Sequence, residues 1–72
     1  MYVYGKLRGR IREKLGTEKV FAEKMKLSAA SISAKLNGEI DFTTKEIANA
    51  VGVLSLEKND IPEYFFSEQS QI

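Results

Sequence analysis

Apolar residues recur along this chain with helical spacing, and polar caps cut the pattern into short blocks. Tyr4, Leu7, Ile11 and Leu15 fall at i, i+3, i+7 and i+11, the apolar stripe of a first helix that ends at Gly16. Gly5 and Gly9 weaken that helix by about 1 kcal/mol each relative to alanine, so packing has to hold it, and Gly9 suggests a close helix approach. Thr17 is a good N-cap, and Val20, Phe21, Ala22 and Met25 predict a second helix over Glu18 to Met25. Lys26 and Leu27 form a tight connection, and Ser28 caps a third helix over Ala29 to Leu36 that Asn37 and Gly38 end. After a loop over Glu39 to Phe42, Thr43 and Glu46 make the T-x-x-E capping box of a fourth helix. Ile47, Ala48, Ala50 and Val51 form its apolar side and Gly52 is its expected stop. Asp60-Ile61-Pro62-Glu63 reads as a cap with proline in the first turn of a last short helix. The pattern predicts an all-α, compact bundle of four to five short helices, with one domain over residues 1–66 and a frayed polar tail over 67–72.

Phe21, Ala22, Met25, Leu27, Ile32 and Leu36 are assigned to the core by their spacing, Ala22 being small enough for two backbones to approach. Tyr64, Phe65 and Phe66 cannot all enter one core, because successive helical positions face different ways. At least one of them is expected at the surface, where the cluster could carry a homodimer contact.

Two short helices joined by three or four residues have helix-turn-helix geometry, in which the second helix is offered to the DNA major groove. The stretch TEKVFAEKMKLSAASISAKLNG, residues 17–38, resembles the helix-turn-helix of the phage Cro and repressor family, with its FA, its S-I-S and its closing N-G at matching spacing. That resemblance implies a lambda-repressor-like fold and a small transcriptional regulator that occupies an operator in double-stranded DNA and blocks transcription. Operators of such proteins are usually pseudo-palindromic, with a dimer reading half-sites about one helical turn apart.

A third helix lying in the groove would present Ser28, Ala29, Ala30, Ser33 and Ala34 to the bases. None of these can make the bidentate contacts of arginine with guanine or of asparagine and glutamine with adenine, so readout would rest on methyl contacts, hydroxyls and DNA shape. Thr17, Lys19, Ser31, Lys35 and Asn37 are the expected phosphate contacts, with the N-terminal amides of the second helix beside them. Lys6 or Arg8 could reach an outer phosphate.

Several positions depart from the family pattern. Glu18 stands where a DNA-contacting glutamine is common, and its carboxylate would have to turn toward Lys14 or an N-cap role. Lys26 replaces a common turn glycine, which predicts a strained or altered turn. Leu36 stands where a glutamate often pairs with an arginine of the first helix, leaving Arg12 without that partner, and Glu39 and Asp41 occupy a loop that is often basic.

Net charge is only +1, but its distribution is uneven. Residues 1–38 carry nine Lys and Arg against three Glu, and residues 39–72 carry two Lys against seven acids. The basic half holds the helix-turn-helix stretch, which favours a polyanion-facing side. The alternative is a protein-interaction module on the same scaffold, using the acidic half and the aromatic cluster. The chain has no histidine or cysteine, so no zinc site is expected, and its serines have no base to activate them. No enzyme activity, cofactor, metal or small-molecule ligand is therefore expected. The start lacks the apolar run of a signal peptide and no stretch approaches the roughly 20 apolar residues of a membrane span, so a cytoplasmic location in a bacterial host is expected.

Overall fold

Three of the helices begin where a short polar side chain, Thr17, Ser28 or Thr43, replaces a hydrogen bond that the first turn lacks. In the computed structural model, which describes residues 2–68, the order is α1 (Gly5–Leu15), α2 (Glu18–Met25), α3 (Ala29–Leu36), α4 (Thr44–Val53), a single 3₁₀ turn (Lys58–Asp60) and α5 (Ile61–Phe65). Thr17 Oγ1 accepts from Val20 N–H at 3.2 Å and Ser28 Oγ from Ser31 N–H at 3.0 Å. Thr43 and Glu46 close the capping box reciprocally, at 3.1 and 2.9 Å. Among the described residues the fold is all-helical, with one isolated antiparallel bridge between Tyr2 and Glu68. No helix in it is long and apolar enough to cross a membrane.

Helix α2 packs against α1, α3 and α4, and α5 closes on α1 and α4. Leu7 and Ile11 of α1, Phe21, Ala22 and Met25 of α2, and Ile32 and Leu36 of α3 are all buried in one cluster, with Leu15 and Leu27 half-buried at its edge. Phe42, read from the sequence only as loop, lies at the centre of a row of rings. It meets Tyr4 edge-on at 5.4 Å and Phe65 at 5.4 Å, joining the N-terminal segment, the loop and α5.

Three local expectations are corrected. Gly52 does not stop α4; the helix runs through it to Val53, and Ser55 takes the left-handed conformation instead, at φ 55°. Continuation places Ile47, Ala50, Val51 and Leu54 on one side at i, i+3, i+4 and i+7, with Leu54 fully buried, whereas Ala48 faces solvent. Gly9 marks no close approach, since a methyl group built there meets nothing within 4 Å.

Of the three adjacent aromatics, Phe65 is buried, Tyr64 is half-buried under the Lys6 ammonium, and Phe66 is 46 % exposed beside Tyr2. Ser67 belongs to the fold through its carbonyl, which accepts from Val3 N–H at 2.8 Å. The rest of the expected tail, 69–72, lies outside the described residues.

Among the described residues one charged side chain is buried. Lys35 is only 6 % exposed, and its ammonium donates to the Asp41 carbonyl at 3.2 Å, pairs with Glu46 Oε1 at 3.0 Å and sits over the Phe42 ring. Burial pushes the Glu46 carboxyl up, but hydrogen bonds from Thr43 and Lys35 outweigh it and hold the pKa below the usual carboxylate range. A lowered folded-state pKa stabilises the fold above the unfolded value, and that stability is lost as pH falls through the folded one. Glu46→Gln keeps a capping-box residue but strands the buried ammonium, so it should cost about 3 kcal/mol at neutral pH. Thermal melts of both proteins from pH 7 to pH 3 check this, because the gap should narrow as the native Glu46 is protonated.

Candidate nucleic-acid interface

Helix α3 buries Ile32, Lys35 and Leu36 and turns its other side to solvent. Ser28, Ala29, Ala30 and Ser33 are exposed, and Ser31 and Ala34 are half-buried. The result is a neutral helix surface of methyls and hydroxyls. Five of the expected contact positions thus share one accessible surface. Ser28 is partly engaged, since its oxygen caps α3 and leaves the hydroxyl hydrogen to donate elsewhere.

The phosphate-contact set divides. Thr17 and Lys19 are exposed at the start of α2, where the first-turn amides lack helical acceptors. Asn37 is exposed too, but its Oδ1 accepts from Arg8 Nη2 at 2.8 Å, leaving only its amide hydrogens. Lys35 is a correction: its ammonium is committed inside the protein to Glu46 and Asp41 and is not offered to a phosphate. Its position near the end of α3 suggested exposure, whereas a neighbour eleven residues away decides its direction.

Arg8 is the group that the sequence reading underrated. Its guanidinium donates to Glu18 Oε2 at 2.6 Å as well as to Asn37, clasping α1 to the start of α2 and the end of α3. Glu18 accordingly turns toward Arg8 rather than Lys14, and each neutralises the other. Arg10 is similarly engaged, donating to the Leu54 and Ser55 carbonyls at 3.1 and 3.2 Å and so capping the end of α4. Lys6 pairs with Glu63. Among the described residues Arg12, Lys14, Lys19, Lys24, Lys26, Lys45 and Lys58 are exposed and form no ion pair, and five of these seven lie within residues 12–26. Arg12, facing no carboxylate from the buried Leu36, lines a cleft of about 250 Å³ with Arg8, Thr17 and Glu18.

The turn between α2 and α3 has the altered chemistry expected of it. Lys26 adopts the left-handed conformation, φ 60° and ψ 39°, which glycine takes without the Cβ penalty. Leu27 N–H then bonds back to the Ala22 carbonyl at 2.9 Å and sets the start of α3.

A family model described as a protein of unknown function, DUF739, matches residues 1–68, and the chain belongs to that family. Among solved structures it is similar to the modulator of repression (MOR) of the temperate bacteriophage TP901-1 from Lactococcus lactis. The two share 48 % identity over 90 % of this chain and 88 % of that one, with a TM-score of 0.80. No curated protein matches the chain. The Cro and repressor likeness of residues 17–38 remains a resemblance in the motif.

Because Lys26 holds a left-handed conformation, Lys26→Gly should raise stability by about 0.5–1 kcal/mol, glycine's greater unfolded freedom offsetting part of the gain. Urea unfolding with an unchanged slope and a higher midpoint would register it.

Proposed function

We propose that this member of the DUF739 family is a small regulator of phage repression that binds duplex DNA by laying α3 in the major groove. The observation that carries the reading is the capped side of α3 on which Ser28, Ala29, Ala30 and Ser33 are exposed, in a chain so similar to a protein named for modulating repression. Lys19, Thr17 and the first-turn amides of α2 are the phosphate contacts in this reading, with Arg12 beside them. Selectivity rests on methyl and hydroxyl contacts and on DNA shape, so each base contributes little. The operator is expected to be pseudo-palindromic if two copies bind together, with half-sites about one helical turn apart.

A second reading, a protein partner on the same side of α3, is favoured by one observation. With Lys35 buried and Arg8 neutralised, the helix has no long polar side chain to reach a base edge, and a smooth surface of alanines and serines accepts another helix closely. Such a module could act on repression by covering a regulator rather than its site.

Selection of duplexes from a random library at about 150 mM salt separates the two readings. DNA binding predicts enrichment of a short motif, and Lys19→Ala should lower the slope of log affinity against log salt by about one. Lys35→Met should leave that slope unchanged, since its ammonium touches no phosphate. Absence of enrichment together with a flat salt dependence would abandon the DNA reading in favour of the protein partner.

A further inference from the structure

Of the chain's three tyrosines and four phenylalanines, five line one cleft: Tyr2, Tyr4, Phe42, Phe65 and Phe66, with Asp41 at its edge. Neither proposed mode of α3 binding uses it. Its volume is about 230 Å³, larger than the 150 Å³ or so of an apolar cavity that accommodates benzene, so it has room for one aromatic side chain. The lining rings already meet edge to face, Tyr4 on Phe42, Phe42 on Phe65 and Tyr2 on Phe66, at 5.4 to 5.5 Å. Phe66 is left nearly half exposed, so its ring is open to a ligand in the cleft.

The charge at the edge selects the occupant. Asp41 is exposed and forms no ion pair among the described residues; its carbonyl, not its carboxylate, receives Lys35. Burial and the nearby Asp41 carboxylate push the Tyr4 phenol up from its ordinary pKa, which places that negative charge at the cleft. Residues 39–72 as a whole carry seven acids against two lysines. A second copy docked through this cleft across a two-fold axis would set Asp41 against a lining that carries no lysine or arginine.

We propose that the Tyr2–Phe42–Phe66 cleft is a docking site for a segment of a partner protein that presents one aromatic side chain flanked by lysine or arginine. The ring enters among the five aromatic side chains and the cation meets Asp41. This site is independent of whether α3 binds DNA.

The test is titration of the full ¹⁵N-labelled chain with the peptide acetyl-Arg-Phe-Lys-amide, and separately with acetyl-Glu-Phe-Glu-amide. The basic peptide should give saturable shifts at the amides of Tyr2, Asp41, Phe42 and Phe66, with a Kd on the order of 1 mM. The acidic peptide should bind roughly 5-fold more weakly, the ratio that an exposed ion pair can supply. Asp41→Asn retains the carbonyl that holds Lys35 and should erase that preference. Phe66→Ala removes a ring that the fold leaves half exposed and should weaken binding roughly 3–10-fold. Three results would overturn the proposal: no saturable shift up to about 10 mM, shifts confined to α3, or a preference that survives Asp41→Asn. Sedimentation showing a dimer that Phe66→Ala dissociates would also overturn it, by assigning the cleft to a second copy.

Discussion

A buried ammonium sets the arrangement of this small fold. Taking Lys35 out of water is costly unless every donor finds an acceptor, and few positions near the end of α3 can supply one. The Glu46 carboxylate and the Asp41 carbonyl do so together, while the Phe42 ring lies under the charge. Because Glu46 also completes the capping box with Thr43, one side chain starts α4 and neutralises α3. The loop over residues 39–42 is thereby held at both ends, and Phe42 is delivered into the row with Tyr4 and Phe65. The N-terminal segment, the loop and α5 all meet at that row. An apolar residue at 35 could fill the space, but it would not direct the Asp41 carbonyl or orient Glu46.

Much of the positive charge that made the first half of the chain look like a polyanion surface serves the fold. Lys6 pairs with Glu63, Arg8 joins three helices, Arg10 caps α4 and Lys35 is buried. What remains, Arg12, Lys14, Lys19, Lys24 and Lys26, belongs to the end of α1, to α2 and to the turn after it, and none of it to α3. A duplex attracted to this chain would therefore be held from the α2 side, with α3 contributing shape more than charge. That division fits a binder of modest selectivity, and it also leaves α3 free to suit a protein surface.

Local chemistry was legible in the sequence, and long-range chemistry was not. Thr17, Ser28 and Thr43 each declare a helix start through a side chain three residues from its partner, so the bounds of α2 and α3 could be read directly. Gly52 misled because a glycine stops a helix only when the next turn uses its left-handed freedom, and Leu54, fully buried, draws the helix one residue further. Phe42 had no periodic neighbours, so its burial could not be inferred from spacing. Lys35 was expected at a phosphate and Arg8 within reach of an outer one, yet their partners come from other elements of the fold. Pairings of that kind follow from packing, which spacing within one helix does not encode.

The two candidate surfaces have opposite chemistry and a common support. On α3 the exposed residues are small and uncharged; at the aromatic cleft they are large rings beside a carboxylate. Lys35 touches both, through its backbone in α3 and its ammonium at Asp41 and over Phe42. A ligand in the cleft would rest on the same two loop residues that fix the Lys35 side chain. In a domain this small no surface is supported independently of the others, because one core and one buried pair serve them all. The neutral side of α3 and the acidic aromatic cleft are therefore best understood as two ends of a single packed unit, joined through residues 35, 41, 42 and 46.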